Sequence, residues 1–373
     1  MKFNTSQLLN IQNLLIFLPI ALLGKYVLDL DDVPVFILAA LAIIPLAKLV
    51  GEATEELAHY MGETWGGLLN ATLGNAAELI ITIFALEAGK VELVRASIVG
   101  SILGNLLLVL GLSLLVGGIK NGLQSFDRKA ASINATMVIL AFMAMAVPSF
   151  FDRAVIGKDP LIVHDAPAAA DAEGRELLFT EGIAVILIAL YALNVLYTFA
   201  SKDKKATPVT HEPAEVHHAR WSKRMALIVL GLATLGIVLM SETLVGAVEG
   251  ATHELGLSEF FVGIIIVPLI GNVAEHLVAV QVAFKNRMDL SLAISFGSSL
   301  QISLFVAPVL VFISLLFSEN LLLVFNPYEL ISLAVASFIA AHVAQDGESN
   351  WLEGAMLLAL YAIIGLAFFV LPN

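Results

Sequence analysis

Long apolar stretches separated by short polar or charged segments run through nearly the whole chain. A helix needs about 20 apolar residues to cross a bilayer, so each stretch of this length is a candidate transmembrane helix. Eleven candidates emerge, and they cover residues 8–28, 34–51, 67–88, 93–118, 131–150, 177–199, 224–247, 260–284, 289–316, 327–343 and 351–371. The pattern predicts an all-α polytopic membrane protein with 11 transmembrane helices.

The positive charges between these stretches are distributed unequally. Thirteen of the 19 Lys and Arg residues lie in segments on the side of the N-terminus, and six lie on the opposite side. Because cytoplasmic loops carry the excess of Lys and Arg, we expect a cytoplasmic N-terminus and, after eleven spans, a C-terminus on the opposite side. We expect an integral protein of a bacterial-type cell membrane, with the lipid bilayer as a partner.

Two short motifs of the same sequence pattern lie inside matching apolar stretches. Residues 74–78 read Gly-Asn-Ala-Ala-Glu, and residues 271–275 read Gly-Asn-Val-Ala-Glu, 197 positions later. The same offset superposes Ser101 on Ser298. Five predicted spans separate the copies, and an odd number of spans reverses the direction of the chain. The second unit is therefore expected to be an inverted copy of the first, as in many transporters.

The repeat divides the chain into four segments. We expect an additional N-terminal transmembrane helix in residues 1–30, followed by the first five-helix repeat, helices 2–6, in residues 31–200. A cytoplasmic linker should occupy residues 201–223. The second five-helix repeat, helices 7–11, should occupy residues 224–373.

Glu78 and Glu275 lie near the middle of their apolar stretches. A charged side chain at the bilayer centre costs roughly 2.5 to 3.5 kcal/mol on insertion scales, and such a residue marks a functional site by default. Asn75 and Asn272 lie three positions earlier. Carboxylate and amide oxygens suit Ca²⁺, which takes about six to eight oxygen ligands. The four residues therefore predict a metal site at the midplane, the alternative being a structural polar contact between packed helices.

Glycine and proline next to these motifs predict interrupted helices. Gly74 and Gly271 weaken the helix, and Pro268 removes a backbone donor and frees the carbonyl of Ile264. Interrupted backbone at membrane depth is tolerated only where it lines a cavity or is buried in protein. We expect helix breaks at Gly74 and, with Pro268, at Gly271.

The helices that follow the two motifs carry further polar side chains. Ser101 and Ser298 occupy equivalent positions, and Gln301 lies one turn after Ser298. We expect all three to contribute oxygen atoms to the metal site. Ordinary hydrogen bonding between helices remains the alternative for the serines, and Asn105 remains an open alternative ligand.

At this point the chain resembles the calcium/proton exchanger (CAX) family of the calcium/cation antiporter superfamily. The motifs that carry the resemblance are GETWGGLLNATLGNAAELIITIFAL (62–86), SIVGSILGNLLLVLG (97–111), LSEFFVGIIIVPLIGNVAEHLVAVQVAFKNRMDLSLAISFGSSLQISLFVAPVLV (257–311) and DGESNWLEGAMLLALY (346–361). The resemblance implies eleven helices, inverted repeats and export of Ca²⁺ in exchange for H⁺. It also implies that Glu78 and Glu275 are the metal-site carboxylates. Ca²⁺ would be the transported substrate, and no cofactor is implied.

Proton coupling requires groups that exchange protons within the membrane. Glu78 and Glu275 are expected to take protons when Ca²⁺ leaves. Glu242, within helix 7, and His276, beside Glu275, are further candidates. A buried histidine whose hydrogen bonds are satisfied is the alternative interpretation of His276.

Acidic residues also lie near the predicted helix ends. Glu52, Glu55 and Glu56 share a helix face and predict a cation funnel or gate on the cytoplasmic side, the alternative being a solvated helix end. Glu249 and Glu254 would form an external gate.

Composition narrows the function classes. The mean hydropathy of +0.92 fits a membrane protein. The chain has no cysteine, which excludes disulfides and thiol nucleophiles, and its net charge of -13 disfavours nucleic acid as a partner. No HExxH or Ser-His-Asp arrangement is evident, so we do not expect an enzyme. The alternatives are a Na⁺-coupled or Mn²⁺-transporting exchanger of the same superfamily and, in a different class, a cation channel. The sequence leaves the oligomeric state undefined.

Overall fold

The structure is a computed structural model that describes residues 11–155, 169–200 and 220–371. The described residues form eleven helices, which are α1 (Ile11–Tyr26), α2 (Asp32–Leu73), α3 (Ala76–Glu87), α4 (Val91–Asn121), α5 (Arg128–Val155), α6 (Ala169–Ala200), α7 (Lys223–Leu255), α8 (Glu259–Phe284), α9 (Met288–Ser314), α10 (Pro327–Gln345) and α11 (Trp351–Val370). Nine helices in the described residues are long and apolar enough to cross a membrane. This confirms the predicted all-α polytopic membrane fold.

The second and third predicted spans meet in a different place from the one that we expected. Helical geometry continues through α2, but the chain turns back on itself. The evidence is the contact between Gly66 and Ala58, since a Cβ on Gly66 would lie only 2.7 Å from the carbonyl oxygen of Ala58. A straight helix would separate these two residues by about 12 Å. The membrane-crossing part of α2 is Asp32–Met61. The last turns of α2 and the whole of α3 then build the third span.

The third span is interrupted between α2 and α3. The chain leaves helical geometry at Gly74 and Asn75, where the sequence predicts a break, and Asn75 is the N-cap residue before α3, with φ -95° and ψ 19°. The carboxylate of Glu78 consequently lies in the first turn of α3. Anionic groups are stabilised at this end of a helix by the dipole of the peptide units.

The expected break at Gly271 is not found, because Gly271 lies inside a continuous helical segment, Val267–Phe284. The irregularity lies earlier in α8, where Val262–Ile266 form a π-helical turn directly before Pro268. A π-helical turn widens the helix locally and leaves room for the missing backbone donor of proline. The irregular backbone therefore includes Ile264, whose carbonyl Pro268 was expected to free, and lies about two turns before Gly271.

Matching π-helical turns occur in α4 and α9. They cover Gly104–Val109 and Ile302–Val306, shortly after the two serines of the predicted site. Such turns are rare and frequently lie at functional sites. Their matching positions indicate that the two repeats share more than their sequence motifs.

The turns that enter α4 and α9 show the same relation between the repeats. Gly89 and Asn286 have positive φ angles of 70° and 62°, and glycine and asparagine tolerate this left-handed region best. The next residues, Lys90 and Arg287, precede the helices, and their backbone nitrogens donate to Ala85 O and Val282 O at 2.8 Å and 2.9 Å. Each pair of equivalent residues is 197 positions apart, which supports the inverted repeat in atomic detail.

Contacts between the connecting segments define two opposite faces. We call inner the face that the charge distribution predicts to be cytoplasmic, and it comprises residues 122–127, 221, 285–287 and 346–350. We call outer the opposite face, and it comprises residues 27–31, 88–90, 256–258 and 315–326. On the inner face, strand β1 (Gln124–Ser125) pairs antiparallel with strand β2 (Glu348–Ser349), which joins the two repeats. On the outer face, Phe325 N donates to Ser149 Oγ at 2.8 Å.

Apolar side chains from both repeats form one continuous core between these faces. The most extensive contact between helices joins α2 and α7, which are equivalent helices of the two repeats, and α1 packs against α2 outside the repeats. Most of the expected linker, residues 201–219, lies outside the described residues. Buried residues of α3, α4, α8 and α9, the helices that carry the polar motifs, belong to this core.

Candidate functional site

Glu78 lies at the centre of the polar site and is only 3 % exposed. Its Oε1 accepts hydrogen bonds from the hydroxyl of Ser101 on α4 and from the amide of Asn272 on α8. Asn272 Nδ2 also contacts Ser101 Oγ at 3.4 Å and Pro268 O at 3.2 Å. The carboxyl group of one repeat is therefore held by a hydroxyl of its own repeat and by an amide of the other.

The backbone of α8 approaches Glu78 closely at Gly271. A Cβ added to Gly271 would lie 2.7 Å from Glu78 Cγ, a separation that real side chains do not adopt. Glycine is therefore required at this position for the side chain of Glu78 to cross the surface of α8. The predicted importance of Gly271 has a different cause, because the structure uses the residue for close approach and not for a helix break.

Glu275 forms the second half of the site. Ser298 Oγ on α9 donates to Glu275 Oε2, and the two residues are 23 positions apart in sequence, as are Ser101 and Glu78. Glu275 is half-buried. Glu275 lies about one helical turn after Asn272, whose amide bonds the carboxyl group of Glu78. The structure thus brings both predicted carboxylates and both predicted serines into one polar centre.

The two asparagines do not make equivalent contacts. Asn272 reaches across to Glu78, whereas Asn75 Nδ2 donates to Gln301 Oε1 at 2.7 Å. Asn75 and Asn272 are both buried, at 2 % and 3 % exposed. The site is therefore asymmetric although its residues are related by the repeat.

Two buried oxygen atoms of the site remain available for a ligand. Within the described part of the chain, Glu78 Oε2 and Asn75 Oδ1 have no hydrogen-bond partner. Leaving such groups unsatisfied costs about 1 to 3 kcal/mol each, which is unusual unless an ion or a proton completes them. These orphaned oxygens fit a hard cation such as Ca²⁺.

The ligand set of such a cation would combine few carboxylates with neutral oxygens. Among the described residues, no group of three or more His, Cys, Asp and Glu side chains is placed to hold a metal ion. Two carboxylates would balance the charge of one divalent cation. Hydroxyl, amide, backbone carbonyl or water oxygens would have to supply the other ligands.

The remaining candidates for proton coupling lie in different environments. His276 is buried beside Glu275, and its Nε2 has no hydrogen-bond partner in the described part of the chain. Glu242 has an exposed side chain, between the buried residues Ser241 and Thr243 of α7. Asn105 on α4, the open alternative ligand of the metal site, is also buried, and its Nδ2 lacks a described partner.

The acidic residues at the inner face take part in local contacts. Glu52 Oε1 lies 3.7 Å from Lys48 Nζ, and Glu56 Oε2 accepts from Trp221 N at 3.2 Å. The hydroxyl of Tyr60 donates to Trp221 O at 2.7 Å, so α2 holds the chain just before α7. Glu55 is exposed. Of the three acidic residues, Glu55 is the one best placed to act on ions in solution.

The predicted external gate residues lie on the outer face. Glu249 and Glu254 line a cleft of about 460 Å³. The cleft is also lined by Asp32, which packs against Gly250 of α7. We did not predict Asp32, although its place beside Asp31 at the start of an apolar stretch could have indicated an acidic helix end.

Lys90 and Glu259 were also missed. Lys90 Nζ lies 2.7 Å from Glu259 Oε1 and 3.4 Å from Glu249 Oε2. The signal in the sequence was the offset of 197 positions, which places Lys90 on a second basic residue, Arg287.

Comparisons with known proteins agree with this architecture. The family described as sodium/calcium exchanger protein matches residues 32–200 and 225–370. A Ca²⁺/H⁺ antiporter of Aphanothece halophytica is 42% identical over an alignment of 378 positions, which covers 96% of this chain and 96% of that protein. The Ca²⁺/H⁺ antiporter ChaA of Bacillus subtilis is 39% identical over 355 residues and covers 95% of this chain and 96% of its own.

Solved structures show the same fold. The structure of native YfkE has a TM-score of 0.80 and 37% sequence identity, and the match covers 97% of this chain and 100% of that chain. The crystal structure of the H⁺/Ca²⁺ exchanger CAX has a TM-score of 0.72 at 17% identity and covers 98% of this chain and 92% of its own, which supports the fold alone. These similarities confirm the resemblance that the motifs predicted. The chain belongs to the sodium/calcium exchanger protein family.

Proposed function

We propose that this protein exports Ca²⁺ from the cytoplasm in exchange for H⁺ by alternating access. Glu78 and Glu275 form the exchange site. Asn75, Asn272, Ser101, Ser298 and Gln301 supply further oxygen ligands or position the carboxylates. The proposal assigns the inner face to the cytoplasm, in agreement with the distribution of Lys and Arg in the sequence.

The observation that carries the proposal is that carboxyl groups from opposite repeats lie in one polar centre, where Glu78 is buried and Glu275 is half-buried. Each carboxyl group accepts a hydrogen bond from a serine of its own repeat, and Glu78 has a buried oxygen with no described partner. Because the site combines elements from both repeats, a movement of one repeat against the other would change its accessibility from each face.

The charges of the site explain how the two ions exchange. Two ionised carboxylates deep in the membrane would repel each other and would be costly to move without counter-charge. One Ca²⁺ neutralises two carboxylates, and two protons neutralise them equally well. Binding of Ca²⁺ from the cytoplasm therefore displaces protons, and protons from the outer side displace Ca²⁺ after the repeats have moved.

Relatives support the choice of ions. The Ca²⁺/H⁺ antiporters described above share about two fifths of their residues with this chain over nearly its full length. A Na⁺-coupled exchanger of the same superfamily and a carrier of Mn²⁺ are the alternatives within the fold. A channel would not require the two inverted halves to complete one site.

The test is Ca²⁺ uptake by proteoliposomes that contain the purified protein. A pH gradient alone should drive uptake, whereas a Na⁺ gradient alone should not. Glu78→Gln and Glu275→Gln should each reduce uptake to background while the protein remains monodisperse, because the amide keeps the shape of the side chain and removes its charge. Glu87→Gln, an exposed residue of α3, is the matched control and should retain uptake.

Three results would contradict the proposal. Ca²⁺ uptake that required Na⁺ would show that Na⁺, and not H⁺, is the coupling ion. Transport of Mn²⁺ in preference to Ca²⁺ would show that Mn²⁺ is the substrate. Substantial pH-driven uptake in either Glu→Gln variant would move the exchange site away from these carboxylates.

A further inference from the structure

Buried polar atoms gather between the exchange site and the inner face. Six side chains there carry a polar atom that has no hydrogen-bond partner among the described residues, and none of the six is more than 8 % exposed. Each such atom costs about 1 to 3 kcal/mol when it stays unsatisfied. The atoms are Asn105 Nδ2, Gln124 Oε1, His276 Nε2, Ser291 Oγ, Ser295 Oγ and Ser349 Oγ.

The hairpin of α8 and α9 places two of these side chains on the inner side of the site. The two helices run antiparallel from the turn at residues 285–287. Glu275 on α8 accepts a hydrogen bond from Ser298 on α9, and nearer the turn both helices contribute to one small apolar cluster. Ser291 and Ser295 precede Ser298, so they lie between the exchange site and the turn.

Helix α4 places two more of these side chains next to each other. Near the site, Asn272 Nδ2 contacts Ser101 Oγ at 3.4 Å. Further towards the inner face, Val109 of α4 packs into the same small apolar cluster as α8. Asn105 and His276 each lie four residues after one partner of the first contact. The two contacts therefore enclose Asn105 and His276 on adjoining helix faces.

The serines of α9 differ in the use of their hydroxyl groups. Ser299 and Ser303 donate to the backbone carbonyls four residues earlier, at 3.0 Å and 2.8 Å. Ser291 and Ser295 make no such bond within the described part of the chain. With Ser298 they follow the spacing i, i+4, i+7, which places the three hydroxyl groups on one face of the helix.

The first repeat shows that packing does not require hydroxyl groups at these positions. The offset of 197 positions places Val94 opposite Ser291 and Ile98 opposite Ser295, and both apolar residues are buried. Ser298 keeps its counterpart Ser101. The row of hydroxyl groups is therefore a property of the second repeat alone, on the side that leads to the inner face.

We propose that Ser291, Ser295 and Ser298 hold a chain of water molecules that carries protons between Glu275 and the inner face. We call it the inner proton route. Side chains one helical turn apart are separated by about 5 to 6 Å, and one water molecule bridges this gap with two hydrogen bonds of about 2.8 Å. Buried water typically satisfies polar groups that lack another partner. The inference rests on the proposed function, because it assigns a path to the exchanged proton.

The step along the route conserves every group that takes part. The carboxyl proton of Glu275 passes to Ser298 Oγ while the hydroxyl proton of Ser298 passes to the next water molecule. The same exchange of O–H bonds repeats at Ser295 and Ser291, and one proton enters the water at the inner face. Each serine ends neutral, with one proton as before.

The side groups of the route bind water without changing their own charge. Asn105 and His276 offer polar atoms beside its beginning. Gln124 and Ser349 are paired in the strands of the inner face and offer polar atoms at its end.

The test compares two activities of the same protein in proteoliposomes. Uptake of Ca²⁺ driven by a pH gradient requires proton movement, whereas exchange of labelled for unlabelled Ca²⁺ at equal pH does not. In Ser295→Val the added methyl groups take the place of the water, and Ile98 shows that a repeat tolerates an apolar side chain there. We expect pH-driven uptake to fall about tenfold, the scale of one interrupted hydrogen bond, and the Ca²⁺/Ca²⁺ exchange to stay unchanged.

Ser303→Val is the matched control. Ser303 is a buried serine of the same helix, but it lies beyond Ser298 on the other side of the site and its hydroxyl bonds the backbone. Its counterpart in the first repeat is the buried apolar residue Leu106. Both activities should survive in this variant. Equal slowing of pH-driven uptake in Ser295→Val and Ser303→Val, or loss of both activities in Ser295→Val, would overturn the route.

An experimental density map that shows water provides an independent test. Water molecules should lie within hydrogen-bond distance of Ser291 Oγ and Ser295 Oγ. Hydroxyl groups that bond only the preceding carbonyls, with no water beside them, would overturn the route.

These results also separate the route from the proposed function. Uptake by the unmodified protein that required Na⁺ would refute the proposed function whatever the serine variants do. Uptake that a pH gradient drives equally well in the unmodified protein and in Ser295→Val would refute the route and leave the proposed function intact.

Discussion

Asn75 donates a hydrogen bond of 2.7 Å to Gln301, a residue of the opposite repeat. Its counterpart Asn272 instead donates to the carboxyl group of Glu78. The side-chain amide of Asn75 therefore donates to Gln301 and not to the second carboxyl group, Glu275. The first repeat has Gly104 at the position equivalent to Gln301, so the two asparagines have different partners.

The contact between Asn75 and Gln301 can be measured with a double-mutant cycle. We expect Asn75→Ala and Gln301→Ala each to raise the half-saturating Ca²⁺ concentration several-fold, because each leaves a buried polar group unpaired. The double variant should be no worse than the more damaging single variant, with a coupling of about 1 kcal/mol. Thr243→Ala, whose hydroxyl bonds only within α7, serves as the control partner and should combine additively with Asn75→Ala. Additive effects of Asn75→Ala and Gln301→Ala would show that the two side chains do not cooperate.

The close approach of Gly271 to Glu78 gives a second prediction. Gly271→Ala should reduce Ca²⁺ transport at least tenfold, because the added methyl group would displace the side chain of Glu78. Alanine favours a helix over glycine by about 1 kcal/mol, so loss of helix stability cannot cause the defect. Gly104→Ala is the matched control, since no atom lies within 4 Å of a Cβ there. Transport rates in proteoliposomes that fall equally in both variants would refute this explanation.

Glu55 provides a third prediction at the inner face. Glu55→Gln should raise the half-saturating Ca²⁺ concentration for transport from the inner face at low ionic strength, because an exposed acidic group concentrates cations near the site. The effect should largely disappear above about 0.15 M salt, where the Debye length falls to about 8 Å. Glu87→Gln, at the outer end of α3, should leave this half-saturation value unchanged. An unchanged value for Glu55→Gln at low salt would make Glu55 part of an ordinary solvated helix end.

The coupling ratio is the subject of a fourth prediction. If Glu78 and Glu275 are the only groups that exchange protons for Ca²⁺, two protons return per Ca²⁺ and the cycle moves no net charge. Fixed Ca²⁺ and pH gradients should then balance at the same point whatever potential is imposed with K⁺ and valinomycin. A third proton would instead couple each cycle to the potential by about 2.3 kcal/mol per 100 mV. A balance point that moves with the potential would direct attention to His276 and Glu242.

Much of the architecture could be predicted because hydrophobic length and repetition are properties of the sequence itself. Eleven apolar stretches gave the helices, and the repeated motif predicted the inverted halves. The motif also predicted that Glu78 would meet Glu275, and the common offset predicted the equivalence of Ser101 and Ser298. Each of these inferences uses the number of residues between two positions, which is the same before and after folding.

The features that were missed depend on contacts between distant segments. The reversal of α2 arises where Gly66 packs against Ala58, and no local pattern distinguishes a bent helix from two helices and a loop. The π-helical turn at Val262–Ile266 adds one residue to a helical turn without altering the apolar composition. The break expected at Gly271 was wrong because glycine there serves a neighbour in space, Glu78. The asymmetry of the two asparagines follows a difference between the repeats, because the offset of 197 positions places Gly104 opposite Gln301 and gives Asn272 no equivalent glutamine.

The hydrogen bond between Asn272 and Glu78 also has a consequence for the synthesis of the protein. The two residues are 194 positions apart, so at about 5 to 20 residues per second the ribosome needs about 10 to 40 s to supply the second after the first. Ser101 follows Glu78 by only 23 positions and arrives much earlier. During insertion, the nascent first half therefore has to shelter an acidic group from lipid with its own hydroxyl. The amide from the second half then joins this hydroxyl at Glu78 and completes the site.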